Sequence, residues 1–199
     1  MNTHNQPPGE PHSPTAPVHS SFKDWLMFSL DIARMLLIAL AIYFFVDAII
    51  ARVRVLNVSM VPTLQEREIL FVNKLAYKFS PIQRGDILTF HYPLNPELDY
   101  IKRAIGLPGD VVEVRDDKVW VNDILLIEPY LAVKPEYEEN RWEVPQDAIF
   151  VMGDNRNDSV DSRAWGFVPL KDVIGKALAV YWPVTRFRIL NHPDIFGTQ

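Results

Sequence analysis

Three clusters of residues in this chain carry groups that can do chemistry. The first is Asn57, Val58, Ser59, Met60, Val61, Pro62 and Thr63, where a small hydroxyl sits beside a flexible apolar side chain. Pro62 stiffens the turn that follows. The second is Tyr100, Ile101, Lys102 and Arg103, followed by the turn-rich Gly106, Leu107, Pro108, Gly109 and Asp110. The third runs from Gly153 to Arg163 and holds Asp154, Asn155, Arg156, Ser159, Asp161 and Ser162. A serine hydroxyl is a poor nucleophile until a base takes its proton. His91 and His192 are candidate bases, but His91 stands at a predicted strand end before Tyr92 and Pro93, and His192 near the C-terminus. Lys102 is the better base candidate.

A lysine base must be neutral, and its free pKa is about 10.4. Lowering that to about 8.5 requires about 2.6 kcal/mol of preference for the neutral form. Apolar burial supplies it by penalising the charged form. A strand lysine pointing into an apolar wall, fixed by a neighbouring hydroxyl, meets the need, and Ser159 can be that hydroxyl. The third cluster is too polar to be buried without internal pairing. Asp161 with Arg163, and Asp154 with Arg156, are candidate charge-assisted pairs that stiffen it.

The elements that must position these groups come in two kinds. Residues 35–46 carry no charge, and the apolar run extends to Ala51 with Asp47 inside it. Trp25, Leu26, Phe28 and Leu30 lengthen it toward the roughly 20 residues that a membrane-spanning helix needs. Asp31 and Arg34, one turn apart, can pair on that helix. After Arg54 the pattern changes to short β-like pieces. Strands are predicted over 69–72, 87–92, 148–152 and 173–182. Residues 111–115 and 118–121 flank Asp116 and Asp117, a spacing that suits a two-residue hairpin. Asn122 and Asp123 turn the chain again. Residues 130–144 read as a charged, irregular surface excursion. The predicted fold is mainly β, a coiled sheet or partial barrel behind one N-terminal transmembrane helix. The predicted domains are a disordered Pro-rich tail over 1–21, a membrane anchor over 22–54 and a β-rich peptidase domain over 55–199.

Composition narrows the function classes. The 199 residues suffice for one globular domain and an anchor. The net charge of −5 with no basic block argues against nucleic acid as a partner. The absence of cysteine excludes disulfides, thiolate nucleophiles and cysteine metal sites. His4, His12 and His19 fit no helix face and do not make a metal site. No cofactor, metal or nucleotide is expected.

Taken together, the clusters resemble the boxes of the bacterial type I signal peptidases, Ser–Lys enzymes that remove signal peptides from exported proteins. The likeness runs from the apolar segment to about Trp182. Ser59, Met60, Val61, Pro62 and Thr63 look like the nucleophile box, and Arg84, Gly85, Asp86 and Ile87 like a second turn. Residues 100–110 look like the lysine box. Gly153, Asp154, Asn155 and Arg156, with Ser159, Asp161, Ser162 and Arg163, look like the last box. The resemblance implies Ser59 as nucleophile and Lys102 as general base. It implies Ser159 as the hydroxyl orienting that lysine, with Asp161 and Arg163 paired behind it. The Ser59 N–H would help to hold the oxyanion. Two positions earlier, where the family carries a small residue or a serine, stands Asn57; its amide can donate to the oxyanion or point away. Met60, Tyr100 and Ile101 would wall shallow pockets for the small residues before the cut. The implied partners are signal-peptide-bearing preproteins, membrane lipid and the export machinery nearby. The implied location is the cell membrane, single-pass, with the catalytic domain extracytoplasmic. Lys23 and Arg34 on one flank and Arg52 and Arg54 on the other leave the charge bias close to even.

Two rival readings follow from the same residues. A soluble self-cleaving repressor uses the same dyad but carries a DNA-binding helical region and a basic face, and this chain shows neither. An anchored, non-catalytic β-domain that binds extracytoplasmic partners would leave Ser59 as a mere turn residue.

Overall fold

The computed structural model describes residues 22–193. The proline-rich tail and its three histidines lie outside the described residues. The chain divides into two units, one up to Phe44 and one from Phe45.

Helix α1 (Phe22–Ile49) has 28 residues and no buried side chain. It contains no proline or glycine, and Asp24 complements the dipole in its first turn. At about 42 Å it is long enough to cross a bilayer, and by length and composition it qualifies as a membrane span. Asp31 and Arg34 pair one turn apart at 3.4 Å. Its last carbonyls find donors: the Lys74 N–H reaches Ile49 O at 2.9 Å and Lys74 Nζ reaches Asp47 O at 2.8 Å. The helix ends at Ile49; residues 50–54, counted with the anchor on sequence, form strand β1 (Ile50–Arg54).

From β1 onward the chain is mainly β, as the pattern predicts. Strands β2 (Ile69–Asn73), β3 (Ile87–Tyr92) and β4 (Asn95–Gly106) follow, with a one-turn helix α2 (Ala76–Phe79) between β2 and β3. Next come β5 (Val111–Arg115), β6 (Lys118–Val121), β7 (Ile124–Leu125) and β8 (Asn140–Glu143). The last elements are β9 (Ala148–Met152), helix α3 (Ser162–Trp165), β10 (Val168–Pro169), β11 (Val173–Trp182) and β12 (Arg188–Ile189). The larger sheet has the order β1-β2-β11-β3-β4-β9-β10, with β12 against β11. The smaller has the order β7-β6-β5-β8.

The smaller sheet follows from its turns. Asp116 and Asp117 both take positive φ, 53° and 54°, and Asn122 and Asp123 take 51° and 63°. Those are the left-handed values a two-residue primed turn requires, and short polar side chains tolerate them best. Residues 130–144 are a correction to the sequence reading. They are not a free surface excursion: β8 pairs with β5, Val144 is buried, and Tyr130, Tyr137 and Trp142 pack on a core cluster. The period-two signal there is too short to show above its charged neighbours.

Strand β9 shows how the core is divided. Phe150 and Met152 face a cluster with Ile105, Val112 and Val121, while Ile149 and Val151 face another with Leu88, Phe90 and Ala104. A strand buried on both faces must be apolar throughout, and β9 is. A third cluster, with Met60, Leu64, Leu70, Val72 and Ala177, lies beneath the turn that carries Ser59.

Strand β11 squeezes between β2 and β3 through bulges, and Gly175 marks the tightest approach. A Cβ there would stand 2.3 Å from the Asn73 carbonyl oxygen and 2.8 Å from its carbon. Because both obstacles are backbone, Gly175→Ala is expected to destabilise the protein by about 1–3 kcal/mol. Chemical denaturation of the detergent-solubilised protein, compared with Gly175 intact, measures it.

Candidate active site

Ser59 lies in the turn after β1. That turn is closed by the Val61 N–H on Val58 O (3.0 Å) and the Leu64 N–H on Met60 O (2.9 Å), with Met60 and Leu64 driven into the core beneath. Lys102 lies on β4 opposite Leu88 of β3. Strand alternation sends Lys102 and its neighbour Arg103 to opposite faces. Both are only 2% exposed. Lys102 Nζ stands 2.6 Å from Ser59 Oγ. Burial pushes the Lys102 ammonium down to about 8 from its ordinary 10.5. The carboxylates of Asp161 and Asp154 pull the other way, and the Arg163 cation adds to the push.

The loop after β9 holds the Ser59 backbone. The Asn155 N–H donates to Ser59 O (3.0 Å) and Asn155 Nδ2 donates to Val58 O (3.2 Å). Gly153 leaves no room for a side chain: a Cβ there would meet Ser159 Oγ at 2.2 Å and Ser59 O at 2.4 Å. The Gly153 N–H donates to Asp161 Oδ2 at 2.9 Å. Arg163 grips the same carboxylate with two hydrogen bonds of 2.8 Å. Burial would raise the Asp161 carboxyl, but the Arg163 hydrogen bond and charge, with the Gly153 N–H, hold it below the usual range.

Asp154 does not pair with Arg156. Its carboxylate takes two hydrogen bonds from Arg103, at 2.8 and 2.6 Å, and Arg103 also donates to Gly85 O at 2.7 Å. Arg156 turns to Glu128, to the Tyr137 hydroxyl (2.6 Å) and to Gly153 O (2.9 Å). The reason is geometric. Asp154 continues the line of β9 beside β4, where Arg103 faces Met152 across the ladder, while Arg156 begins a tight turn that leaves the sheet. Glu128, Tyr130 and Tyr137 were not singled out on sequence, because no motif surrounds them and their partner lies about 20 to 30 residues away.

Asn57 neither donates to the site nor points away from it. Its Oδ1 accepts from Ser59 Oγ at 2.8 Å and from the Ser59 N–H at 3.3 Å. Ser159 lies beside Ser59 and Lys102 with its hydroxyl buried and bearing on the Asp161 carboxylate, while Lys102 Nζ makes its hydrogen bond to Ser59. Asn57, Met60, Tyr100 and Ile101 come together along one cleft of about 140 Å3 between the end of β1 and β4. His91 pairs with Asp99, and His192 approaches Asp86 at 3.2 Å; neither contacts Ser59. The buried Asp86 is also bonded to Lys176 and the Tyr77 hydroxyl.

Residues 29–182 match the family described as signal peptidase, peptidase S26. The chain belongs to that peptidase family. Among its curated relatives, a signal peptidase I of Leptolyngbya laminosa is 43% identical over 145 residues, 69% of this chain and 71% of the relative. A probable signal peptidase I-2 of Synechocystis sp. is 39% identical over 173 residues, 84% of this chain and 78% of the relative. A solved signal peptidase I from Enterococcus faecalis, 38% identical, covers 49% of this chain and 97% of its own, with a TM-score of 0.45. The matched span of this S26 peptidase takes in Ser59, Lys102 and the whole Gly153–Arg163 loop.

Holding a lysine at about 8 has a cost in stability. The folded pKa lies below the unfolded 10.5, so the folded state binds the proton less well. Stability is therefore highest above about pH 10.5, falls as pH drops toward 8, and stays at the lower level below that. Lys102→Met removes the proton and keeps much of the volume. It is expected to stabilise the protein at pH 7 by on the order of 3 kcal/mol, at 1.36 kcal/mol per unit. Denaturant unfolding of both proteins from pH 6 to 10 checks this: the gap should shrink steadily above pH 8.

Proposed function

We propose that this chain is a membrane-anchored serine endopeptidase that removes N-terminal signal peptides from exported preproteins. The observation that carries the reading is the 2.6 Å contact between Ser59 Oγ and a buried lysine whose pKa has fallen to about 8. The Ser59 hydroxyl swings its proton from Asn57 Oδ1 to Nζ, and neutral Lys102 takes it as Oγ attacks the scissile carbonyl. The Ser59 N–H, released from Asn57 Oδ1, donates to the oxyanion as it forms. Lys102 then passes the proton to the departing amine, leaving an acyl-enzyme on Ser59. A water activated by the same lysine hydrolyses it. Ser159, Asp161, Arg163, Gly153 and Asp154 act by positioning: they hold the loop against the nucleophile and keep carboxylates near Lys102 paired.

The cleft lined by Met60, Tyr100 and Ile101 is small enough to favour small side chains before the cut. A substrate in extended form can lie along the open edge of β1, which pairs on one side only. The membrane helix keeps the site near lipid, the catalytic domain lies outside the cytoplasm, and preproteins reach it from the export machinery.

The test is cleavage of a detergent-solubilised preprotein with an Ala-x-Ala junction. Ser59→Ala and Lys102→Ala are each expected to lower kcat/KM by at least about a thousandfold. For the native protein, kcat/KM should rise about tenfold per unit at low pH and level off through a midpoint near 8. A rate flat from pH 5 to 10, or three proteins that cleave alike, would overturn the dyad.

A further inference from the structure

A recess of about 470 Å3 lies beside the one-turn helix α2, and none of its lining residues belongs to the site around Ser59 and Lys102. Ile82, Leu107, Leu170 and Ile174 give it apolar walls, and Lys74 and Lys78 line it as well. No acidic side chain lines it, in a chain whose net charge is −5. Among the described residues, neither lysine takes part in an ion pair, and Lys78 is exposed.

The position of the recess follows from Lys74. Its N–H donates to Ile49 O and its Nζ to Asp47 O, in the last turn of α1. Residues 35–46 carry no charge, so Asp47 is the first ionised group as the chain leaves hydrocarbon, and it stands at headgroup level. Lys74, bonded to it, stands at that level too, and with it one wall of the recess. A recess with cations and apolar walls offers partners to both parts of a phospholipid: ammonium groups for the phosphate, aliphatic side chains for the first methylenes. Phe79, next to Lys78, is 85% exposed and gains by meeting acyl chains instead of water.

We propose that this recess binds one anionic phospholipid of the adjoining leaflet, with Lys74 and Lys78 on its phosphate. Lys74 has ammonium hydrogens to spare while it keeps Asp47 O. A zwitterionic headgroup brings its own cation beside the phosphate and competes with the lysines, so an anionic lipid is favoured. The inference depends on the membrane anchor and not on the peptidase reading. One lysine at a membrane surface strengthens binding of anionic lipid by about fivefold.

The experiment is native mass spectrometry of the full-length protein, released from non-ionic detergent micelles that carry equal amounts of phosphatidylglycerol and phosphatidylcholine. One phosphatidylglycerol should stay bound, favoured over phosphatidylcholine by about five- to thirtyfold. Lys78→Glu changes an exposed side chain and should lose at least about fivefold of that preference. Lys118→Glu, the same charge change at an exposed position on the smaller sheet, should keep it. Equal retention of the two lipids, a preference that Lys78→Glu does not move, or equal losses in both variants overturns the inference. Release of the lipid by glycerol phosphate at the same concentration also overturns it, since the recess would then be a site for a soluble anion. A second copy of the chain retained in place of lipid overturns it as well. No peptide is cleaved in this measurement, so its outcome stands apart from the roles of Ser59 and Lys102.

Discussion

The site depends on keeping one lysine uncharged in a place where two carboxylates are close by. Asp154 and Asp161 would each favour the ammonium form of Lys102. Their effect is limited because each is already claimed by an arginine through a two-point grip. Buried ion pairs of this kind are poor sources of stability, since desolvation offsets most of their attraction. Their value here is positional. Arg103 ties Asp154 to the Gly85 turn, and Arg163 ties Asp161 to the Arg156 carbonyl at 2.8 Å. The loop is thereby fixed against the nucleophile while its charges are spent on partners other than the lysine.

The alternation of β4 makes this division possible. Lys102 and Arg103 are neighbours in sequence and carry the same formal charge. On opposite faces of a strand they meet different surroundings. Lys102 faces the Ser59 hydroxyl and the Tyr100 ring. Arg103 meets a carboxylate, a carbonyl and, at 4.0 Å, the Tyr130 ring. One is left without a counter-ion in contact and loses its proton readily; the other is locked to a carboxylate and a carbonyl.

Much of this was legible in the chain. Strands and hairpin turns follow from period-two patterning and from paired Asp and Asn residues that accept positive φ. The meeting of Ser59 with Lys102 and the Asp161–Arg163 pair followed from local residue types and from the resemblance. The choice of long-range partners did not. Asp154 beside Arg156 looked like a pair because nearness in sequence is all a sequence offers, whereas the ladder brings Arg103 across from 51 residues away. Strand β8 was hidden for a related reason: it is short, charged on its outer face and given its identity by pairing with β5. The acceptor role of Asn57 depends on one side-chain orientation, which residue type does not set.

The order of the larger sheet also bears on what brings Ser59 and Lys102 together. Ser59 hangs from β1 and β2, and Lys102 from β3 and β4. In the sheet these two pairs are joined through β11, which follows all four in the chain. Without residues 173–182 each pair can still form, but the strand that hydrogen-bonds to both is missing and only side-chain packing is left to align them. Ser59 and Lys102 are then two ordinary residues, one a hydroxyl on a turn and the other a charged amine in water. The meeting of the two side chains is thus a property of the assembled sheet and of neither hairpin alone.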